Sequence, residues 1–80
     1  MNSYDYYGKG EAVAQRLEIE GLDQYAKGIR DAIRGGSTAT EILVALRWQL
    51  RKVLDCGEKL GDQEMIMVKE LVEKIDDILE

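Results

Sequence analysis

The chain has no histidine, no proline, no phenylalanine and a single cysteine, Cys56. Histidine is the usual carrier of protons near neutral pH, and zinc sites draw on several His or Cys side chains, so acid–base catalysis of the common kind and a His/Cys metal centre are both disfavoured. One cysteine cannot close an internal disulfide. Such sparse use fits a reducing compartment, with an intermolecular disulfide as the sole alternative. No run approaches the roughly 20 apolar residues of a membrane-spanning helix. The opening MNSYDYYGKG has neither the basic start nor the apolar stretch of a secretion signal. These absences lead to the expectation of a soluble, cytoplasmic protein that needs no cofactor or metal.

The 80 residues make one domain, spanning 1–80, with residues 1–8 expected either to fray or to lie across the rest. A chain of this size buries only about 60–65% of its extended surface, so its stability margin is thin. Small domains usually supplement it with disulfides, a metal or a partner subunit, and the first two are hard to build here.

Sixteen acids against eleven bases give a net charge of −5. Residues 1–35 carry −1, residues 36–60 carry +1, and residues 61–80 carry −5. A nucleic-acid binder would cluster Lys and Arg to neutralise phosphates, so the balance argues against DNA or RNA. An acidic last segment reads either as a solvated face or as a surface that attracts a basic partner.

Apolar spacing makes the chain all-α, an antiparallel helical bundle with short turns. Between about Gly10 and Arg34, Ala12, Ile19, Leu22, Ala26, Ile29 and Ile33 recur at helical steps. That stretch forms either one long helix, giving a three-helix bundle, or two helices broken near Gly21, giving four. Glycine costs about 1 kcal/mol relative to alanine inside a helix, so Gly21 is the natural break. Leu22, Tyr25, Ala26, Ile29, Ala32 and Ile33 share one face in either case. Gly35 and Gly36 are expected to end the helix in the left-handed conformation of a C-cap. Thr38-Ala39-Thr40-Glu41 then matches a capping box, with the Thr38 hydroxyl on an amide three residues on and Glu41 reaching back to the cap amide. The third segment runs to about Cys56, with Gly57 as a second C-cap candidate and Asp62 as the cap of the last helix. There Met65, Val68, Leu71, Val72, Ile75, Ile78 and Leu79 form an apolar face, with Ile66 off it and most charges outside.

Several features permit a sharper reading. The acids Glu70, Glu73, Asp76, Asp77 and Glu80 would line the outside of a helix, without the pocket a catalytic carboxylate requires. The loop pattern of an EF-hand is absent. Cys56 precedes a helix-ending glycine, where the helix dipole disfavours a thiolate, and reads as a small apolar side chain. The Gly-Gly-Ser-Thr turn beside Arg34 could present amides to an anion, but the residues of a phosphate loop are missing and a cap accounts for it. Arg47, Arg51 and Lys52 sit too late in their helix for a DNA-reading helix-turn-helix.

The segment TATEILVALRWQLRKVL, residues 38–54, is the most informative. Ile42, Leu43, Leu46, Leu50, Val53 and Leu54 fall within an arc of about 120°, the width of a core stripe. Val44 and Trp48 point the other way, with Arg47 and Arg51 beside them. A small bundle buries one stripe per helix, so a second stripe centred on the chain's only Trp marks a contact surface. Three occupants are open: the Tyr-rich N-terminal segment, a second copy in a homo-oligomer, or a different protein.

By composition, a small, acidic, all-helical chain without catalytic residues resembles the immunity proteins and antitoxins that neutralise a basic toxin. The resemblance implies a non-enzymatic inhibitor or regulator acting by surface occlusion. On that expectation Val44, Arg47, Trp48 and Arg51 anchor the partner while Glu70, Glu73 and Asp77 steer it. The alternative is a self-associating structural module in which the Val44/Trp48 stripe forms the seam.

Overall fold

A computed structural model describes residues 4–56 and 60–79. Those residues form four helices, α1 (Tyr6–Ile19), α2 (Asp23–Gly35), α3 (Ala39–Asp55) and α4 (Asp62–Leu79), with no strand among them. The fold is all-α, and the four-helix arrangement is the one adopted.

The break between α1 and α2 is built by Gly21, which has φ of 82°. An L side chain there would be strained, whereas glycine enters the left-handed region freely. Around it the Leu22 amide donates to the Leu17 carbonyl at 2.8 Å and the Gly21 amide to the Glu18 carbonyl at 3.0 Å. These are the two bonds of a Schellman motif, and Leu22 packs on the core that holds Leu17. Leu22 then opens α2, its carbonyl accepting from the Ala26 amide.

The second turn corrects an expectation. Gly36 is extended, with φ −84° and ψ 153°, and Gly35 is the last residue of α2, so neither makes a left-handed cap. Space is the reason for glycine at 36. A Cβ there would lie 2.5 Å from Ile42 Cγ1 and 3.0 Å from the Ile42 amide nitrogen. The chain passes against the first turn of α3 so closely that only a hydrogen fits.

The capping box forms with one shift. Thr38 Oγ1 accepts from the Glu41 amide at 3.2 Å as expected, but Glu41 Oε1 accepts from the Ser37 amide at 3.0 Å, one residue before the cap. At the chain start, Asp5 Oδ1 accepts from the Gly8 amide at 2.9 Å and α1 begins at Tyr6, so Tyr6, Tyr7 and Gly8 are helical. Asp62 is the first residue of α4 and not its cap. The Gly61 carbonyl accepts from the Met65 amide, and Asp62 and Glu64 place negative charge in the first turn, where the helix dipole favours it. The proposed cap at Gly57 lies outside the described residues.

The helices close a ring in which α1 and α3 each pack on α2 and α4. Ion pairs and a shared cleft set the directions. Glu11 near the start of α1 meets Arg30 and Arg34 in the second half of α2, Arg16 late in α1 meets Glu64 early in α4, and Ala39 and Leu43 at the start of α3 share a cleft with Ile78 at the end of α4, above the Arg47–Asp76 pair. Adjacent helices are therefore antiparallel. The centre is filled by Leu17, Ile29, Leu46, Leu50, Leu71 and Ile75, all fully buried. Each such side chain contributes roughly 1.5–3 kcal/mol by leaving water.

Two residues assigned to apolar faces lie outside. Ile19 is exposed because α1 ends there and the Schellman turn carries the chain away, and Ile78, in the last turn of α4, is half exposed at the rim of a cleft. Ile66 is exposed, as its spacing predicts.

Candidate protein-binding surface on α3

The two faces of α3 follow from its period. Leu43, Leu46, Leu50 and Val53 are buried, with Ile42 and Leu54 partly so. On the opposite side Val44 is 45% and Trp48 59% exposed. One turn separates them, and they stand on a helix whose inner side is fixed by the core. The Lys52 ammonium lies 4.6 Å from the centre of the Trp48 ring system, so its stem borders the indole.

The tyrosines of the N-terminal segment do not cover Trp48. The Tyr4 ring stands edge-on to Tyr6 at 4.9 Å, with Lys74 and Lys9 near its face. It lines a small cavity of about 50 Å³ with Lys9, Val13, Met67 and Glu70, between α1 and α4. Burial first, then Glu70 and Tyr6, push its phenol above the ordinary range.

Arg47 and Arg51 turn towards α4. Arg47 Nη1 donates to Asp76 Oδ1 at 2.8 Å, and Arg51 Nη2 reaches the same oxygen at 3.3 Å. The two guanidinium groups thus join α3 to α4 through one carboxylate. Arg47 is largely covered, whereas the Arg51 side chain is 56% exposed and borders the Trp48 face. Asp76, expected on the outside of its helix, is the acceptor of this seam.

Glu70, Glu73 and Asp77 are exposed. Their spacing places them on one stripe of α4, and Glu70 fixes its direction by lining the Tyr4 cavity on the α1 side. Asp76 points to α3. The seven residues therefore do not form one patch: Val44, Trp48 and Arg51 border one face, Arg47 is taken into the seam, and the three acids lie around the other side of α4.

Three features escaped the sequence reading. Glu64 is 6% exposed and takes a hydrogen bond from Arg16 Nη1 at 3.1 Å. Its register is legible in retrospect, since Glu64, Val68, Leu71 and Ile75 share one helix face. Cys56 is half-buried beside Tyr25, and its thiol first, then partial burial and Asp55, raise the Tyr25 phenol above its ordinary range. A cleft of about 260 Å³ opens between the N-terminal segment, the start of α3 and the end of α4, lined among others by Tyr6, Tyr7, Leu43 and Ile78. It depends on pairing distant elements, which no local pattern reports.

Among the described residues no group of three or more Cys, Asp or Glu could hold a metal ion, and no helix is long and apolar enough to cross a membrane. Of the amides around the start of α3, that of Ser37 is bonded to Glu41 and that of Glu41 to Thr38. Comparison with known family models, with curated proteins and with solved structures finds no match for this chain.

Proposed function

We propose that the protein is a small non-catalytic binding module, an inhibitor or regulator that acts by occluding a partner's surface, with the outer face of α3 as its contact. The observation that carries the reading is the pair Val44 and Trp48, exposed one turn apart on a helix that is otherwise clamped in the core. An indole left in water on a rigid helix is poised to bury a large apolar area at low conformational cost. Tryptophan and arginine are also the residues most enriched where single side chains dominate binding. Arg51 stands at the border of the face with donors to spare.

The acidic stripe of α4 takes a different part. Lying on another side from Trp48, Glu70, Glu73 and Asp77 contribute through the long-range field of a chain of net charge −5, which attracts basic partners and repels acidic ones. A cytoplasmic setting fits the lone Cys56 and belongs to the same proposal.

Trp48→Ala tests it, with thermal unfolding followed by circular dichroism beside an association assay. The expected result is a melting temperature within a few degrees of wild type, because the side chain supports no core contact, and association weakened at least thirtyfold, as for a residue that dominates its interface. Loss of folding with unchanged association would overturn the reading.

A further inference from the structure

Positions equidistant from the midpoint of Val44 and Trp48 carry opposite charges, Glu41 on one side and Arg51 on the other, and that arrangement bears on what covers the face. The outer side of α3 carries Glu41 before the apolar pair, Arg51 and Lys52 after it, and Asp55 at the end, all exposed. The face is neutral in sum. A basic protein would find no excess of negative charge on it, since the acids of α4 lie on another side.

We propose that the occupant of this face is a second copy of the chain, its α3 packed antiparallel on the first about a two-fold axis passing between Val44 and Trp48. The proposal rests on the reading of that face as a binding surface, and a protein inhibited through the same face would have to displace the second copy. A two-fold axis pairs each residue with a counterpart on the other copy, and the pairing is reciprocal. With Val44 set against Trp48 of the second copy, residues whose numbers have the same sum are opposed, so Glu41 meets Arg51 of the second copy and Arg51 meets its Glu41. Two apolar pairs at the centre are then flanked by two ion pairs about 15 Å apart along the helix. Asp55 approaches the start of the second copy's α3, where the helix dipole favours an anion. Parallel packing would oppose Glu41 to Glu41 and Arg51 to Arg51, so the charge pattern selects the antiparallel arrangement.

Neither charge must abandon its present role. Arg51 keeps free donors beyond its bond to Asp76, and Glu41 uses one oxygen for the Ser37 amide. A contact this small gives a weak dimer, with a Kd on the order of 10 µM.

Sedimentation equilibrium of the full chain, across roughly a hundredfold range about that concentration, tests the proposal, with circular dichroism confirming that each variant is folded. The mass is expected to rise from one chain to two, and Trp48→Ala to raise the Kd at least thirtyfold. Glu41→Lys or Arg51→Glu alone is expected to raise it about tenfold, as each reverses two ion pairs at once. The combined Glu41→Lys/Arg51→Glu variant is expected to return to within about threefold of wild type, because the exchanged charges meet again across the axis. Loss of the Ser37 and Asp76 bonds would instead weaken the combined variant further. A monomer at every concentration overturns the second copy, as does a dimer that the combined variant fails to restore. In either case the binding face itself stands if another protein binds wild type and not Trp48→Ala. A dimer indifferent to Trp48→Ala places the seam elsewhere and likewise overturns the second copy on this face, while a partner protein that binds Trp48→Ala as tightly as wild type overturns the binding face itself.

Discussion

At the scale of single residues, the least expected side chain is Glu64. A carboxylate almost removed from water must keep its partner, and here the partner is Arg16, itself half exposed. Arg16→Ala leaves that charge in place without its donor, and unfolding in urea is expected to show a loss of about 1–2 kcal/mol, with Glu64→Gln recovering part of it in the Arg16→Ala background. The tyrosines give a second expectation. Burial raises the Tyr4 phenol, so the folded state favours its neutral form. That contribution is complete below the pKa of the unfolded chain, about 10, and is lost as pH rises through the higher folded value. Urea midpoints measured from pH 8 to 11 should fall at the alkaline end, and fall less for Tyr4→Phe. An identical fall in both would show that Tyr4 plays no part. Periodicity revealed the exposure of Val44 and Trp48 because a helix presents residues four apart on one side. It concealed Glu64, because a charge in the apolar register reads as an interruption until the neighbouring helix supplies an arginine.

At the scale of elements, the two glycines joining α2 to α3 separate conformation from space. A Cβ at Gly35 would meet nothing within 4 Å, whereas one at Gly36 would press on the backbone of Ile42. Gly35→Ala is therefore expected to be neutral or to stabilise by up to about 1 kcal/mol, since alanine is the better helix former. Gly36→Ala should destabilise by about 1–3 kcal/mol, as crowding against backbone does. Thermal melts of the two variants compare them directly, and equal effects would contradict the close approach. The sequence offered the turn at Gly21 only as the alternative to a continuous helix, and marked the turn at Gly35 and Gly36 outright but with the left-handed mechanism that belongs to Gly21. The left-handed residue is Gly21, and the pair at 35–36 serves helix ending and close passage. Composition alone cannot distinguish a glycine needed for its φ from one needed for its missing Cβ, because the second depends on what another element brings near. The capping box, whose partners are all within four residues, was legible almost to the atom.

At the scale of the whole molecule, the sequence revealed helix number only as a choice between three and four, and ring closure settled it. Each helix contributes one inward stripe, and antiparallel neighbours place Arg30 between Glu11 and Glu18 and Asp76 beneath Arg47 and Arg51. The second of these arrangements is what separates the face of Trp48 from the acids of α4, a division invisible while the two helices are read one at a time.

The left-handed residue between α1 and α2 has a consequence for the molecule's closure. Continued as one straight helix from Tyr6 to Gly35, that stretch would measure about 45 Å, beyond the 32 Å long axis of the molecule. Such a rod could not return its second half to its own core, and could bury both halves only by trading helices with a neighbouring chain. Gly21 is thus the hinge that keeps the fold within a single polypeptide.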